Sequence, residues 1–157
     1  MTDRKVRFSG WMRALSGGDA GEALVETAIS MSLFTLLLVG GAEFAQLAYA
    51  SIEVSNAARA GVQYGAQNGA TASDTAGIQT AAANDAPNIT LGTTTASISY
   101  ICSDGAASSG LNTDCVNSHI EEILTVTTTT TVQPLIHLPG FPTTFTLNGR
   151  AIQKCAQ

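Results

Sequence analysis

The spacing of hydrophobic positions separates an apolar N-terminal segment from a remainder rich in alternating patterns. Residues 27–42 carry no charged side chain, and the apolar character continues beyond Glu43 to Ala50. A helix needs about 20 apolar residues to cross a bilayer. The 24 residues of 27–50 are therefore enough to span it with some tilt. The pattern predicts a membrane helix with one carboxylate inside its outer end.

Small residues extend this helix to about Asn68. Residues at spacings of three and four mark one face: Leu47, Ala50, Val54, Ala57, Gly61 and Gly65. A glycine costs a helix about 1 kcal/mol relative to alanine, so the close-approach spacing of Gly61 and Gly65 indicates a tightly packed partner. We expect the chain's own sheet to be that partner, with a neighbouring helix as the alternative. In the membrane part we expect a neighbouring helix.

The remainder of the chain favours strands. A short helix over 74–86, capped by Ser73 or Asp74, is predicted to end before Pro87. Alternation then recurs in three runs, at 97–102, 124–132 and 144–147, as in an antiparallel meander. We predict an α+β fold in which the outer half of a long N-terminal helix packs on an antiparallel sheet of about three strands. The five threonines at 127–131 are expected to form a solvated strand face.

Charge is distributed unevenly. Four of the seven basic residues lie before residue 21, and the chain after Gly21 holds three basic and ten acidic residues, a net charge of −7. An acidic body of this kind argues against nucleic acid as a partner. The positive-inside rule keeps the basic leader in the cytoplasm and places residues after about 50 beyond the inner membrane. A secretory signal peptide has the same order of features, although its apolar region is usually shorter; an unprocessed signal anchor is a further alternative.

The junction between leader and apolar segment carries a processing pattern. Gly21 ends the basic leader, Glu22 follows, and Glu26 stands at the fifth position after the glycine. This arrangement resembles the prepilins of type IV pili and type II secretion systems. In prepilins a membrane aspartyl peptidase cuts after the glycine, and the apolar helix stays in the product. Glu22 departs from the apolar residue that is usual after the cut, and Thr27 stands where tight-adherence pilins often have tyrosine.

Residues 21–69 together resemble the TadE-like family of minor pseudopilins. The matching positions are Gly21, Glu26, Glu43 and the run Asn56, Ala57, Ala58 and Arg59. The resemblance implies a cleaved leader at 1–21, a membrane and assembly helix at 22–69 and a periplasmic α+β domain at 70–157. It also implies a minor pseudopilin of a tight-adherence pilus, acting in pilus initiation, at the tip or in assembly through helix packing.

The implied partners are a prepilin peptidase, other pilins and pseudopilins, the inner-membrane pilus platform and membrane lipid. In the family, the carboxylate at Glu26 offsets the amine that cleavage creates; the alternative is a favourable interaction with the helix dipole. Glu43 is either a solvated carboxylate at the outer interface or a partner for a basic group on another subunit.

No pattern in the sequence indicates catalysis, a metal or a cofactor. His119 and His137 lack the spacing of metal ligands, and no nucleophile elbow, phosphate loop or Cys-x-x-Cys pair occurs. The protein is therefore predicted not to be an enzyme. The alternative to a pseudopilin is a membrane-anchored or secreted periplasmic binding or adhesion domain.

Three cysteines lie in the part expected to face an oxidising compartment. Cys102 ends a predicted strand and Cys115 precedes the next one, so a bridge would staple the polar loop between them. Closing a loop of about 14 residues contributes roughly 3 kcal/mol in the chain-entropy model. We predict Cys102–Cys115, with Cys102–Cys155 and Cys115–Cys155 as the competing pairs. Cys155 would then be free or paired with another subunit.

A second loop, at 133–142, combines three prolines with apolar side chains. The apolar residues are Leu135, Ile136, Leu138 and Phe141. We expect them to fold back onto the domain; the alternative is an exposed patch for a partner pseudopilin.

Overall fold

The computed structural model describes residues 18–111, 113–136, 140 and 142–156, with side chains from residue 21. The basic leader up to residue 17 lies outside the described residues, as do Leu138 and Phe141 of the apolar loop. The chain divides into two compact units, residues 1–42 and residues 43–157.

The described part of the first unit is helical and mainly apolar. Helix α1 is assigned over Gly18–Gly65, and within 21–42 every side chain is exposed except that of Val39, which is partly buried. Leu24 is 72% exposed and Leu37 is 65% exposed. The most apolar 18-residue window of this helix has a mean hydropathy of 1.8. The helix is therefore long and apolar enough to cross a membrane, and this unit leaves its apolar side chains uncovered.

The second unit contains a four-stranded antiparallel sheet. Its strands are β1 (Leu91–Cys102), β2 (Ala107–Ser108), β3 (Ile120–Val132) and β4 (Phe145–Lys154), in the spatial order β2-β1-β3-β4. The three long strands cover the three predicted runs, except for Thr144, and extend beyond them. The short strand β2 was not predicted, because two residues are too few to show an alternating pattern.

One face of the sheet is covered by the outer half of α1. The buried side chains of β3 alternate along the strand: Leu124, Val126, Thr128, Thr130 and Val132. On the helix, the buried side chains of this part are small: Ala50, Val54, Ala57, Ala58 and Val62. Because these side chains are small, the helix backbone comes close to the strands. The predicted α+β fold is confirmed.

Two short helices follow α1. The structure ends α1 at Gly65, not near Asn68, and Asn68 instead caps α2 (Gly69–Ser73) through a reciprocal capping box with Thr71. Asp74 caps α3 (Thr75–Asp85), with its Oδ1 accepting a 3.0 Å hydrogen bond from the amide of Gly77. The helix predicted before Pro87 is thus present, whereas α2 was missed.

The threonine run does not form one solvated face. Thr128 and Thr130 point toward the core and are 0% and 2% exposed. The expectation that both are solvated is wrong. Successive side chains of a strand point to opposite faces of the sheet, so every second threonine points inward. Each buried hydroxyl has a main-chain acceptor: Thr128 donates to Val54 at 2.7 Å, and Thr130 donates to Thr90 at 2.8 Å.

Candidate functional site

The predicted processing and assembly residues lie on the exposed N-terminal part of α1. The structure places Gly21, Glu22 and Glu26 on this helix with open surroundings, and a Cβ added at Gly21 would meet nothing within 4 Å. Among the described residues, none bonds to the carboxylate of Glu26. The side chains that a peptidase or a neighbouring subunit would have to reach are therefore accessible.

Three hydroxyl groups in the apolar segment are satisfied within the helix. Thr27, Ser32 and Thr35 each donate to the main-chain carbonyl four residues earlier, at 2.7, 2.8 and 2.8 Å. In hydrocarbon an unpaired polar group costs several kcal/mol. Because these bonds are local, the three hydroxyl groups are compatible with a lipid-facing helix.

The helix-packing glycines lie against the chain's own domain. A Cβ at Gly61 would stand 3.2 Å from Val126 Cγ1 and 3.3 Å from Ile78 Cγ2. A Cβ at Gly65 would overlap the side chain of Leu124 and stand 3.0 Å from Ile78 Cδ1. The structure thus places side chains of the sheet, together with Ile78 of α3, next to both glycines.

A closer approach, which the sequence did not indicate, occurs at Gly149. This glycine lies opposite Thr128 in the β3–β4 register, and a Cβ added to it would overlap the main-chain carbonyl of Val54. The helix backbone therefore rests on the sheet at this position. A lone glycine in a strand is the only sequence signal for such an approach.

Glu43 makes a contact within its own domain that the sequence did not indicate. Its Oε1 accepts a 2.7 Å hydrogen bond from the main-chain amide of Ile136. The carboxylate thus holds the start of the apolar loop of its own domain. Leu135 and Ile136 are 66% and 46% exposed, so the expectation that they fold back onto the domain is wrong.

A polar cluster on α1 was also missed. Glu53 is 8% exposed, and its Oε1 accepts a 2.8 Å hydrogen bond from Asn88, which also donates to the Tyr49 hydroxyl at 2.9 Å. Beside it, Gln46, Tyr49 and Gln133 contribute to the lining of a cavity of about 310 Å³. In the sequence, the sign of this cluster is an acidic residue on a helix face that otherwise consists of Ala and Val. The cluster anchors the segment that follows α3 to the helix.

The cysteines fall into one bonded pair and one free thiol. Cys102 and Cys115 form a disulfide with a Cα–Cα distance of 5.6 Å, which is the pair ranked first from the sequence. Cys155 is free and buried. Burial and the nearby Glu122 carboxylate raise the pKa of its thiol.

Hydrogen bonds between polar residues hold the loop that the disulfide closes. Asp114 accepts hydrogen bonds from the amide and the hydroxyl of Ser109, at 2.7 and 2.6 Å. These bonds lower the pKa of Asp114. In the part of the chain that the structure describes, no group of three His, Cys, Asp or Glu side chains could hold a metal.

The N-terminal segment of the chain is similar to a known protein family. Residues 21–63 match the family model of TadE-like protein. The resemblance inferred from the motifs is thereby confirmed over this segment. The TadE-like match indicates a structural component associated with a tight-adherence pilus, and the apolar helix fits a single-pass membrane anchor. No curated protein and no solved structure matches the chain at a significant level.

Proposed function

We propose that this protein is a minor pseudopilin of a tight-adherence pilus. A prepilin peptidase cuts it after Gly21, and its helix then holds it in the inner membrane with the C-terminal domain in the periplasm. From there it contributes to pilus initiation, to the tip or to assembly by packing its helix against other pilins and the inner-membrane platform. Incorporation into an extracellular pilus follows from the same packing.

One observation carries this proposal. The TadE-like match begins at Gly21, the residue after which the cut is expected. It continues through a helix whose apolar side chains are exposed from residue 21 to 38. A helix of this kind requires lipid or other apolar helices around it. Cleavage on the cytoplasmic side would leave that helix intact, as assembly by helix packing needs.

Glu26 has a specific role in the proposal. Cleavage creates a positively charged amine on Glu22, and a carboxylate four residues away, on the same or a neighbouring subunit, can pair with it. An isolated charge at the edge of hydrocarbon is costly, and pairing offsets that cost. No described residue of this chain pairs with Glu26, which leaves its carboxylate available to the new amine.

Replacement of Glu26 by alanine tests this role. We expect Glu26→Ala to be cleaved normally but to co-purify poorly with other pilins and to lower pilus yield. Glu26→Asp is the matched control, since it keeps a carboxylate at the same position of the helix. Unchanged pilus yield and co-purification for Glu26→Ala would show that the pairing role is wrong.

The second candidate function is a membrane-anchored or secreted periplasmic binding or adhesion domain. Exposed hydroxyl side chains along β1, at Thr93, Thr95, Ser97 and Ser99, are the observation that favours it. The two candidates differ in the mature N-terminus, since a signal anchor keeps Met1 and a signal peptide loses the apolar segment.

A further inference from the structure

We propose that the loop segment 134–136 rests in the outer interface of the membrane that α1 crosses, with Leu135 and Ile136 in contact with lipid. This inference rests on the membrane location in the proposed function and goes beyond it. It assigns a lipid-binding surface to the C-terminal domain.

The first support is the tether between the loop and the helix. Glu43 directly follows the uncharged run 27–42 in the chain, and its carboxylate accepts the 2.7 Å hydrogen bond from Ile136. The loop is thereby held at the level where the apolar segment ends. A carboxylate at that level is expensive without a donor, and the loop amide supplies one.

The second support is the apolar surface at this level. Phe44 is 73% exposed, Leu135 is 66% exposed and Ile136 is 46% exposed. No Asp, Glu, Lys or Arg occurs between Glu122 and Arg150, so the loop can approach lipid without burying a charge.

The third support is the depth in the membrane at which the loop lies. With Glu26 at the inner edge of the hydrocarbon, Glu43 lies 17 residues farther along the helix, about 25 Å, which brings it close to the outer edge of a hydrocarbon core of about 30 Å. Beyond Glu43, the amide of Gln46 and the hydroxyl of Tyr49 lie at a cavity, and Tyr is typical of the membrane–water interface. Irregular backbone does not lie exposed in hydrocarbon. The loop therefore belongs in the interface and not in the core.

Lipid is favoured over a partner protein because the loop is fixed to the anchor helix itself. Lipid surrounds the helix at that level in every unassembled copy of a membrane-anchored protein. A pilin partner would be present only after assembly.

A single-tryptophan probe tests the proposal in the full-length protein. Trp11 is the only tryptophan, so Trp11→Phe removes the native tryptophan fluorescence, and Leu135→Trp is introduced into that variant. The matched control is Val116→Trp, since Val116 is 87% exposed and precedes β3, whereas the loop follows it. Each protein is reconstituted into phosphatidylcholine–phosphatidylglycerol vesicles carrying bromine high or low on the acyl chain, and incorporation is checked by flotation.

We expect blue-shifted emission from Leu135→Trp, with stronger quenching by the high bromine than by the low bromine and water-like emission from the control. Water-like, unquenched emission in floating vesicles would overturn the proposal and leave the proposed function standing. Three further results would also overturn the proposal and leave the proposed function standing. They are stronger quenching by the low bromine, equal quenching of both tryptophan probes, and a blue shift that requires added pilins. A protein that does not float would contradict both the inference and the membrane anchor.

A measurement on the unsubstituted chain excludes an effect of tryptophan's own preference for interfaces. A phosphatidylcholine with a photoreactive group high on its acyl chain is expected to label Leu135 or Ile136, as located by peptide fragmentation. Labelling of the membrane helix without labelling of this segment would overturn the proposal.

Discussion

The hydroxyl of Thr128 donates a 2.7 Å hydrogen bond to the main-chain carbonyl of Val54, joining the centre of the sheet to the backbone of the long helix. Thr128 is fully buried and lies opposite Gly149 in the neighbouring strand. The helix can approach this closely because Gly149 has no side chain beneath it. The buried hydroxyl of Thr128 and the missing side chain of Gly149 thus allow the helix backbone to pack directly on the sheet at Val54.

Replacement of Thr128 by valine keeps the shape of the side chain and removes the donor. We expect Thr128→Val to lower the free energy of unfolding by about 1 kcal/mol, the usual net contribution of a hydrogen bond. Thr127→Val is the control, because Thr127 lies on the opposite face of the same strand. Urea unfolding of the full-length protein in detergent, followed by the strand signal in circular dichroism, measures both. Equal effects at the two positions would contradict a specific role for the buried hydroxyl.

Addition of a methyl group at Gly149 should displace the helix. A Cβ there would overlap the Val54 carbonyl, and overpacking of this kind typically costs about 1–3 kcal/mol. We expect Gly149→Ala to lower the midpoint of urea unfolding, whereas Gly69→Ala should not, since its Cβ meets nothing closer than 3.9 Å. An unchanged midpoint for Gly149→Ala would show that the helix does not rest on this strand.

The disulfide should contribute to the stability of the C-terminal domain. The bond closes a loop with a sequence separation of 13, for which the chain-entropy model gives roughly 3 kcal/mol. We expect the double replacement of Cys102 and Cys115 by alanine to lower the free energy of unfolding by about that amount. Non-reducing peptide mapping checks the pairing directly. A linked peptide that contains Cys155 and Cys102 would contradict the assignment.

Cap formation by Asp74 predicts a dependence of stability on pH. The Gly77 amide and the Tyr64 hydroxyl donate to its carboxylate and lower the pKa of Asp74. The folded pKa is therefore below the unfolded one, so the contribution is present above the ordinary value of 3.8 and is lost as the pH falls through the folded pKa. Stability of the native protein relative to Asp74→Asn should decrease from pH 6 to pH 3, and Tyr64→Phe should weaken that trend. A constant difference would contradict the cap.

Periodic features of the sequence were sufficient to predict the main elements. The uncharged run 27–42 and the small residues from Leu47 to Gly65 indicated the long helix, and alternating runs indicated the three long strands. Asp74 was recognised as a cap candidate because a polar residue before a periodic segment satisfies free amides at a helix start. These signals are local, so a single sequence contains them.

Contacts between distant parts of the chain were not predictable in the same way. The inward direction of Thr128 depends on the register of β3, which a run of identical residues does not reveal. The bond between Glu43 and Ile136 joins positions 93 residues apart, and nothing in either neighbourhood indicates the other. For Glu53, the sequence shows only an acid on a small-residue face, while its partner Asn88 lies 35 residues away.

The intact mass of the mature protein tests the proposed function most directly. The full-length chain is co-expressed with the prepilin peptidase and recovered from the membrane, together with Gly21→Leu as the uncleavable control. We expect a mature chain that begins at Glu22 and retains the apolar helix, and we expect the control to remain as precursor. A mass that begins at Met1 would contradict processing, and one that begins beyond residue 40 would show removal of an ordinary signal peptide.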